Sequence, residues 1–294
     1  MTISEELDQQ LLDNLSFRKW STLASFIVLI WEHAITLSDE FRCIWRRPFN
    51  GVKSAYIFSR YFAVLVQTGN LYLVFGPLDT QEPVCKQWFL FLIISACFLL
   101  AALDFILMLR VYALYRKDKR VAAFLVVLFF VQIAVDCILC PRGIFQVPYD
   151  PICDTTKTHP DVVYYFIWIW VVHISLGVLT IAKCHLVKIG APVVRLVTRD
   201  GALTTISICS LYAVVISYAL FSQVSQAHVV FNWPISCLSI LCCRIIMNMQ
   251  TFDVSRNEGN EGSSISGLST LNFEVEFDNA RVDPRAQDPV HTPT

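Results

Sequence analysis

Charged residues are scarce in this sequence. They make up 16% of 294 residues, against about a quarter in an ordinary soluble domain, so a surface solvated by water over its whole extent is hard to build from them. Glycine is sparse as well. With ten in the chain, neither a phosphate-cradling glycine loop nor a Gly-x-Ser-x-Gly nucleophile turn occurs. The six histidines (His33, His159, His173, His185, His228 and His291) never fall as H-x-x-x-H or H-E-x-x-H, the spacings that set two imidazoles on one helix face around a metal. The reading is of a non-enzyme with no cofactor and no bound metal. Internal repeats of the kind many transporters carry are missing too, since residues 61–64 resemble 212–215 only at chance level.

What the sequence does have is long apolar stretches. Residues 20–37, 55–75, 87–109, 121–140, 162–182, 202–221 and 229–247 are near the roughly 20 residues with which an α-helix crosses about 30 Å of hydrocarbon. They are continuous, unlike the ten-residue alternations of barrel strands. The first is no cleavable signal peptide: the acidic segment Glu5, Glu6, Asp8 and Asp13 precedes it, and it is too long for an h-region. The expected fold is an all-α polytopic membrane protein with seven transmembrane helices. A tail over 1–19 precedes the membrane domain of 20–250. A polar tail over 251–294 follows it, too poor in apolar residues to order itself. Within that tail, residues 271–277 alternate apolar and polar, a period of two that fits a strand added to a partner's sheet.

Orientation follows from the connections. Fifteen Lys and Arg fall on one set, from Arg42 to Arg256, and five on the other: Arg18, Lys19, Lys86, Arg142 and Lys157. Cytosolic connections carry the excess, so the N-terminus is placed outside, the C-terminus in the cytosol, and the plasma membrane is the expected location. Arg18 and Lys19 are the local contradiction, as they stand on the poorer side of the first run. The Asn14-Leu15-Ser16 sequon lies on the same outer side. Among eleven cysteines, Cys85, Cys140 and Cys153 fall at the outer ends of runs or in the outer connection. An oxidising exterior permits a disulfide there. Cys85–Cys153 is the preferred pairing and Cys140 the rival partner.

Charges inside the runs are costly in lipid and must face protein or water. Glu32, Thr36 and Asp39 stand at i, i+4 and i+7 and share a helix face. Arg60 lies about six residues, roughly 9 Å, into the second run, and Asp104 the same distance above Arg110. The inner ends therefore carry an ionic layer of Glu32, His33, Asp39, Glu40, Arg60, Asp104, Arg110 and Arg244. Glu32–Arg60 is the expected first pair. The layer is read either as charge neutralisation that lets the helices pack or as a lock that rearranges on signalling. In the outer half, Gln67, Asn70, Asp136, His173 and Asn232 can line a pocket for a small ligand, or serve as hydrogen-bonding glue between helices. The aromatic residues Tyr164, Tyr165, Trp168 and Trp170 fit an interfacial belt.

Three blocks carry a resemblance. They are Trp31-Glu32-His33-Ala34-Ile35-Thr36-Leu37-Ser38-Asp39-Glu40 with Ile44-Trp45 and Arg60-Tyr61-Phe62; Leu107-Met108-Leu109-Arg110-Val111-Tyr112-Ala113-Leu114-Tyr115; and Arg199-Asp200-Gly201 with Cys243-Arg244-Ile245-Ile246-Met247-Asn248. Together they resemble the basidiomycete-fungal membrane proteins of domain of unknown function family 6533, across residues 20–250. Glu32 departs from that pattern, which has Asp before the His. The resemblance implies fungal origin and a seven-helix fold, and it implies no catalytic residues. A looser likeness to rhodopsin-like receptors fails at Leu109, where such receptors carry an acid before the Arg.

The function expected from these features is that of a receptor-like membrane protein sensing a small or lipidic ligand. Its partners would be the lipid bilayer and a cytosolic protein at the basic inner loops and tail, with no nucleic acid. A transporter or channel is the alternative reading, and a membrane-embedded enzyme the third.

Overall fold

No glycine or proline interrupts the chain between its start and Pro48, and nothing there stops a helix once begun. In the computed structural model, which describes residues 3–45, 49–76, 82–145, 153, 160–186, 192–221 and 227–260, helix α1 accordingly runs from Ile3 to Glu40. It closes in a single wider π turn, Phe41–Trp45. The rest are α2 (Gly51–Phe75), α3 (Glu82–Leu114), α4 (Lys119–Phe145), α5 (Pro160–Leu186), α6 (Pro192–Phe221) and α7 (Ala227–Asn260). Each contains one apolar run.

The element ends differ from the sequence expectation. The segment 1–19 is helical from Ile3 and continuous with the first span, so the Asn14 sequon sits in a helix. Helix α6 begins at Pro192, ten residues before its apolar run, with proline in the first-turn position it tolerates. Helix α7 continues to Asn260, past the expected start of the tail. The alternating stretch 271–277 and the outer connection apart from Cys153 lie outside the described residues.

Local signals set the junctions. Asn50 caps α2, its Oδ1 accepting from the Lys53 amide at 2.8 Å. Gly76 ends that helix by donating its amide to Tyr72 O, also at 2.8 Å, and a Cβ there would strike that same oxygen. Between α3 and α4 the backbone turns through Arg116 and Lys117 in the left-handed region (φ 53° and 61°), with Lys117 N donating to Tyr112 O at 3.2 Å.

Helices α7 and α3 form the middle of the bundle. Helix α7 packs on α1, α2, α3 and α6, whereas α4 lies at the edge against α3 and α5. Gly177 of α5 meets α6 closely: a Cβ there would lie 3.2 Å from Thr205 Cγ2, the use of a small residue expected where helices approach.

Among the described residues, four helical stretches are long and apolar enough to cross a membrane: Leu12–Glu40, Pro83–Leu114, Lys119–Arg142 and Asp161–Lys183. Gly201–Ser217 is a shorter apolar stretch. Helix α4 is the informative one. Its apolar window is among the most hydropathic and yet only 17% buried, with Phe124, Val127 and Phe130 at least half exposed. A large contiguous apolar surface turned outward marks contact with a partner or a membrane, and several such helices together point to a membrane-embedded protein.

Candidate functional site

The polar residues of the bundle fall into three separate groups. The first is a clasp of charges at the α1–α2–α7 end. Arg60 of α2 is buried between α1 and its own helix: Nη1 donates to Thr36 Oγ1 of α1 at 2.9 Å and to Tyr56 Oη of α2 at 2.8 Å, and Nη2 donates to His33 O of α1 at 2.7 Å. Its counter-ion is Glu40, with Nη2 3.0 Å from Oε2. Glu40 is fully buried and also accepts from Trp45 Nε1 at 3.2 Å and Tyr61 Oη at 3.3 Å. Several donors on one carboxylate are what keep a buried charge tolerable.

Glu32 therefore does not pair with Arg60. It receives both arms of Arg244 from α7, at 2.5 and 2.9 Å, a two-pronged geometry suited to guanidinium and carboxylate. The expected Glu32–Arg60 pair fails because Arg60 lies against the last turn of α1, eight residues further along, while Glu32 faces α7. Asp39, on the predicted stripe, is exposed. Of the stripe, Thr36 thus goes to Arg60 and Glu32 to Arg244, while Glu40, outside the stripe, is the counter-ion of Arg60. His33 rests with Nδ1 2.7 Å from Leu29 O and Nε2 3.2 Å from Arg60 O.

The second group joins the other half of the same helices. Asn232 of α7 donates to Thr22 Oγ1 of α1 at 2.7 Å and accepts from Asn70 Nδ2 of α2 at 2.7 Å. Asn70 in turn accepts from Trp88 Nε1 of α3 at 3.0 Å. Gln67 Nε2 donates to Asn232 O and to Ser236 Oγ, at 2.7 and 3.0 Å. Pro234, inside α7, removes an amide from this turn and crowds the preceding one, which loosens the helix where Gln67 reaches its backbone. Gln67, Asn70 and Asn232 are at most 1% exposed, so they are glue between four helices and not the lining of an open pocket.

The remaining two expected pocket residues belong to a third group, between α3, α4 and α5. His173 Nε2 lies 3.6 Å from Asp104 Oδ1, and Asp136 Oδ1 accepts from Gln132 Nε2 at 2.8 Å. Asp104, placed in the ionic layer from its depth, thus meets a residue expected in the outer set. Nearby, Cys97 Sγ is 3.7 Å from Cys140 Sγ and 3.8 Å from Tyr165 Oη. Tyr165 turns inward, and Tyr164 outward.

Cysteine and cation placements complete the picture. Cys85 and Cys153 form a disulfide with Cα atoms 5.1 Å apart, leaving Cys140 facing Cys97. Arg18 lies over the Trp88 ring at 5.3 Å and Lys19 over Phe75 at 5.8 Å; contact with aromatic faces makes their position tolerable. Arg110 is nearly buried and, with Leu107, Thr180, Gly201 and Thr205, lines a small cleft between α3, α5 and α6. The open space is about 20 Å³, room for about one water. Among the described residues no group of three or more His, Cys, Asp or Glu side chains could hold a metal.

Residues 20–65 match the family of unknown function DUF6533. The matched segment spans most of α1, the π turn and the first part of α2, and it contains Glu32, His33, Glu40 and Arg60. The DUF6533 match therefore supports the family resemblance over the half of the clasp that α1 and α2 supply. No curated protein and no solved structure matches the chain.

The sequence reasoning missed several members of these groups, among them Tyr56, Thr22, Trp88, Gln132 and Ser236. Tyr56, which braces Arg60, read only as an aromatic residue in an apolar context, and Trp45 stood in a motif block with no role given to it. Thr22 looked like an ordinary helix residue. Its partner Asn232 is the signal that it has a role, because a buried amide needs a counterpart on a neighbouring helix.

Proposed function

We propose that this chain is a receptor-like membrane protein of the plasma membrane. It crosses the bilayer seven times, with its N-terminus outside and its C-terminus in the cytosol, and it senses a lipidic or other small ligand. The observation that carries this reading is the pair of charge clasps, Arg60–Glu40 and Glu32–Arg244. They tie α1 to α2 and α7 at the end where the basic connections cluster, while the Cys85–Cys153 disulfide secures the connection after α4 to α3 at the other end. A covalent tie holds one end still. Ion pairs at the other can exchange between partners, and that is the kind of element a ligand biases when it shifts helices.

The charge count supports the orientation, since the clasps and the fifteen basic residues fall at one end. The hydrogen-bond accounting favours a lipidic ligand. Gln67, Asn70 and Asn232 already hydrogen-bond one another, so a polar ligand in the outer half has to break those bonds to bind, whereas an apolar one entering between helices from the bilayer does not. Inner loops and tail would then engage a cytosolic protein.

The test is mass spectrometry of the protein purified from its native membrane in mild detergent, followed by melting with and without the compounds found. A lipidic molecule retained in near-stoichiometric amount, and raising the melting temperature when added back, is the expected result. Preparations carrying only bulk phospholipid in solvent proportions, with no compound shifting the melt, contradict the ligand reading.

A further inference from the structure

Each side chain of the clasp and of the asparagine network holds at least one hydrogen-bonding partner. His173 and Asp104 Oδ1 hold none among the described residues. Both residues are 1% exposed, and their closest approach of 3.6 Å is longer than a hydrogen bond. Asp104 Oδ1 and both ring nitrogens of His173 make no hydrogen bond among the described residues. Polar atoms left so in a dry interior call for a further explanation, and ionisable residues inside membrane helices mark functional positions by default.

Counting charge narrows the explanation. Asp136, 8% exposed on α4, is the nearest further acid, close enough to interact electrostatically with Asp104. With both acids ionised and the imidazole neutral, this region would hold two negative charges in a low-dielectric interior, where like charges cannot both remain. Among the described residues, Arg60 is engaged on Glu40 and Arg244 on Glu32. Arg110 lies six residues along α3 from Asp104, roughly 9 Å. Protons are then the neutralising species.

We propose that Asp104 and His173 form a proton-binding site between α3 and α5. One proton is held either as the Asp104 carboxylic acid beside neutral imidazole or as carboxylate beside imidazolium. Transfer inside the pair conserves charge, and release of the proton to water leaves carboxylate and neutral imidazole. Asp136 stays protonated separately. The other titratable groups around the site are accounted for by element: Cys97 on α3, Cys140 on α4, Tyr165 on α5 and Tyr212 on α6. On α7, Cys242 faces Ser59 and Arg244 faces Glu32. Arg244 alone among these carries a fixed positive charge, and it is spent on Glu32, so the proton has no competitor within the pair. The inference rests on the membrane reading only for the dryness of the surroundings.

The experiment is infrared difference spectroscopy of the full chain in discs of zwitterionic phospholipid, titrated upward from acid pH. Carbon-13 aspartate labelling assigns the carboxylic carbonyl bands without any substitution. The expected result is aspartic-acid signal that persists at neutral pH. Part of that signal disappears in Asp104→Asn and another part in Asp136→Asn. His173→Gln alters the pH at which the Asp104 component is lost. The proposal is overturned if labelled wild-type protein shows no protonated aspartate at neutral pH. It is also overturned if no part of the signal is lost in folded Asp104→Asn protein, or if sodium at constant pH abolishes the Asp104 component, which would make this a cation site. Protease accessibility of the chain ends is independent of all these outcomes, so failure of the topology and failure of the proton site are told apart.

Discussion

At the residue scale, two ion pairs that look alike in a sequence are very different in surroundings. Arg60 and Glu40 have side chains 3% and 0% exposed, while Arg244 is 57% exposed against Glu32 at 12%. Removing one partner of a buried pair strands the other charge and typically costs about 3–5 kcal/mol, whereas a pair open to solvent contributes about 0–1 kcal/mol. Glu40→Gln should therefore lower the melting temperature in detergent far more than Glu32→Gln. Equal shifts would refute the burial argument. Replacing both Arg60 and Glu40 by apolar residues should recover much of the loss. The depth of these charges was legible from sequence, because rise per residue is constant along a helix. The partners were not. Whether Arg60 meets Glu32 or Glu40, about 12 Å apart along α1, depends on how the helices rotate and tilt against each other, and a single sequence carries no record of that. Asp104 and His173 were separated for the same reason, having been assigned to different halves by counting from loop ends.

At the element scale, the runs themselves were readable and their ends were not. Length and apolar continuity located all seven helices. Yet α1, α6 and α7 extend into segments read as tail or loop, because polar residues without glycine or proline do not stop a helix. Helix α2 falls outside the stretches apolar enough on composition alone, and the reason is structural: Arg60, Gln67 and Asn70 are polar residues that it turns toward α1 and α7. Asn232→Ala strands Asn70 Nδ2 and Thr22 Oγ1, and buried unsatisfied groups of this kind cost about 1–3 kcal/mol in all. The expected outcome is a clear fall in melting temperature. Thr68→Val is the control: its hydroxyl donates to its own helix at Val64 O from an exposed position, so little change should follow. Comparable effects from both substitutions would mean that the Asn232 network is not what joins these helices.

At the scale of the whole molecule, the distribution of polarity is the opposite of a water-soluble protein's. Polar and charged residues gather inside, on α1, α2, α3 and α7, and the exterior of α4 is phenylalanine, valine and isoleucine. In water that arrangement would expose a large apolar surface. In hydrocarbon it is the favourable arrangement, because lipid solvates the outer side chains and polar side chains meet partners on neighbouring helices. The proposed seven crossings would place the two ends of the chain in different compartments. The direct measurement is accessibility of an epitope at each terminus on intact and permeabilised cells. The account predicts that the N-terminal epitope is reached on intact cells and the C-terminal one only after permeabilisation. Both epitopes reached on intact cells, or both protected until permeabilisation, would contradict it.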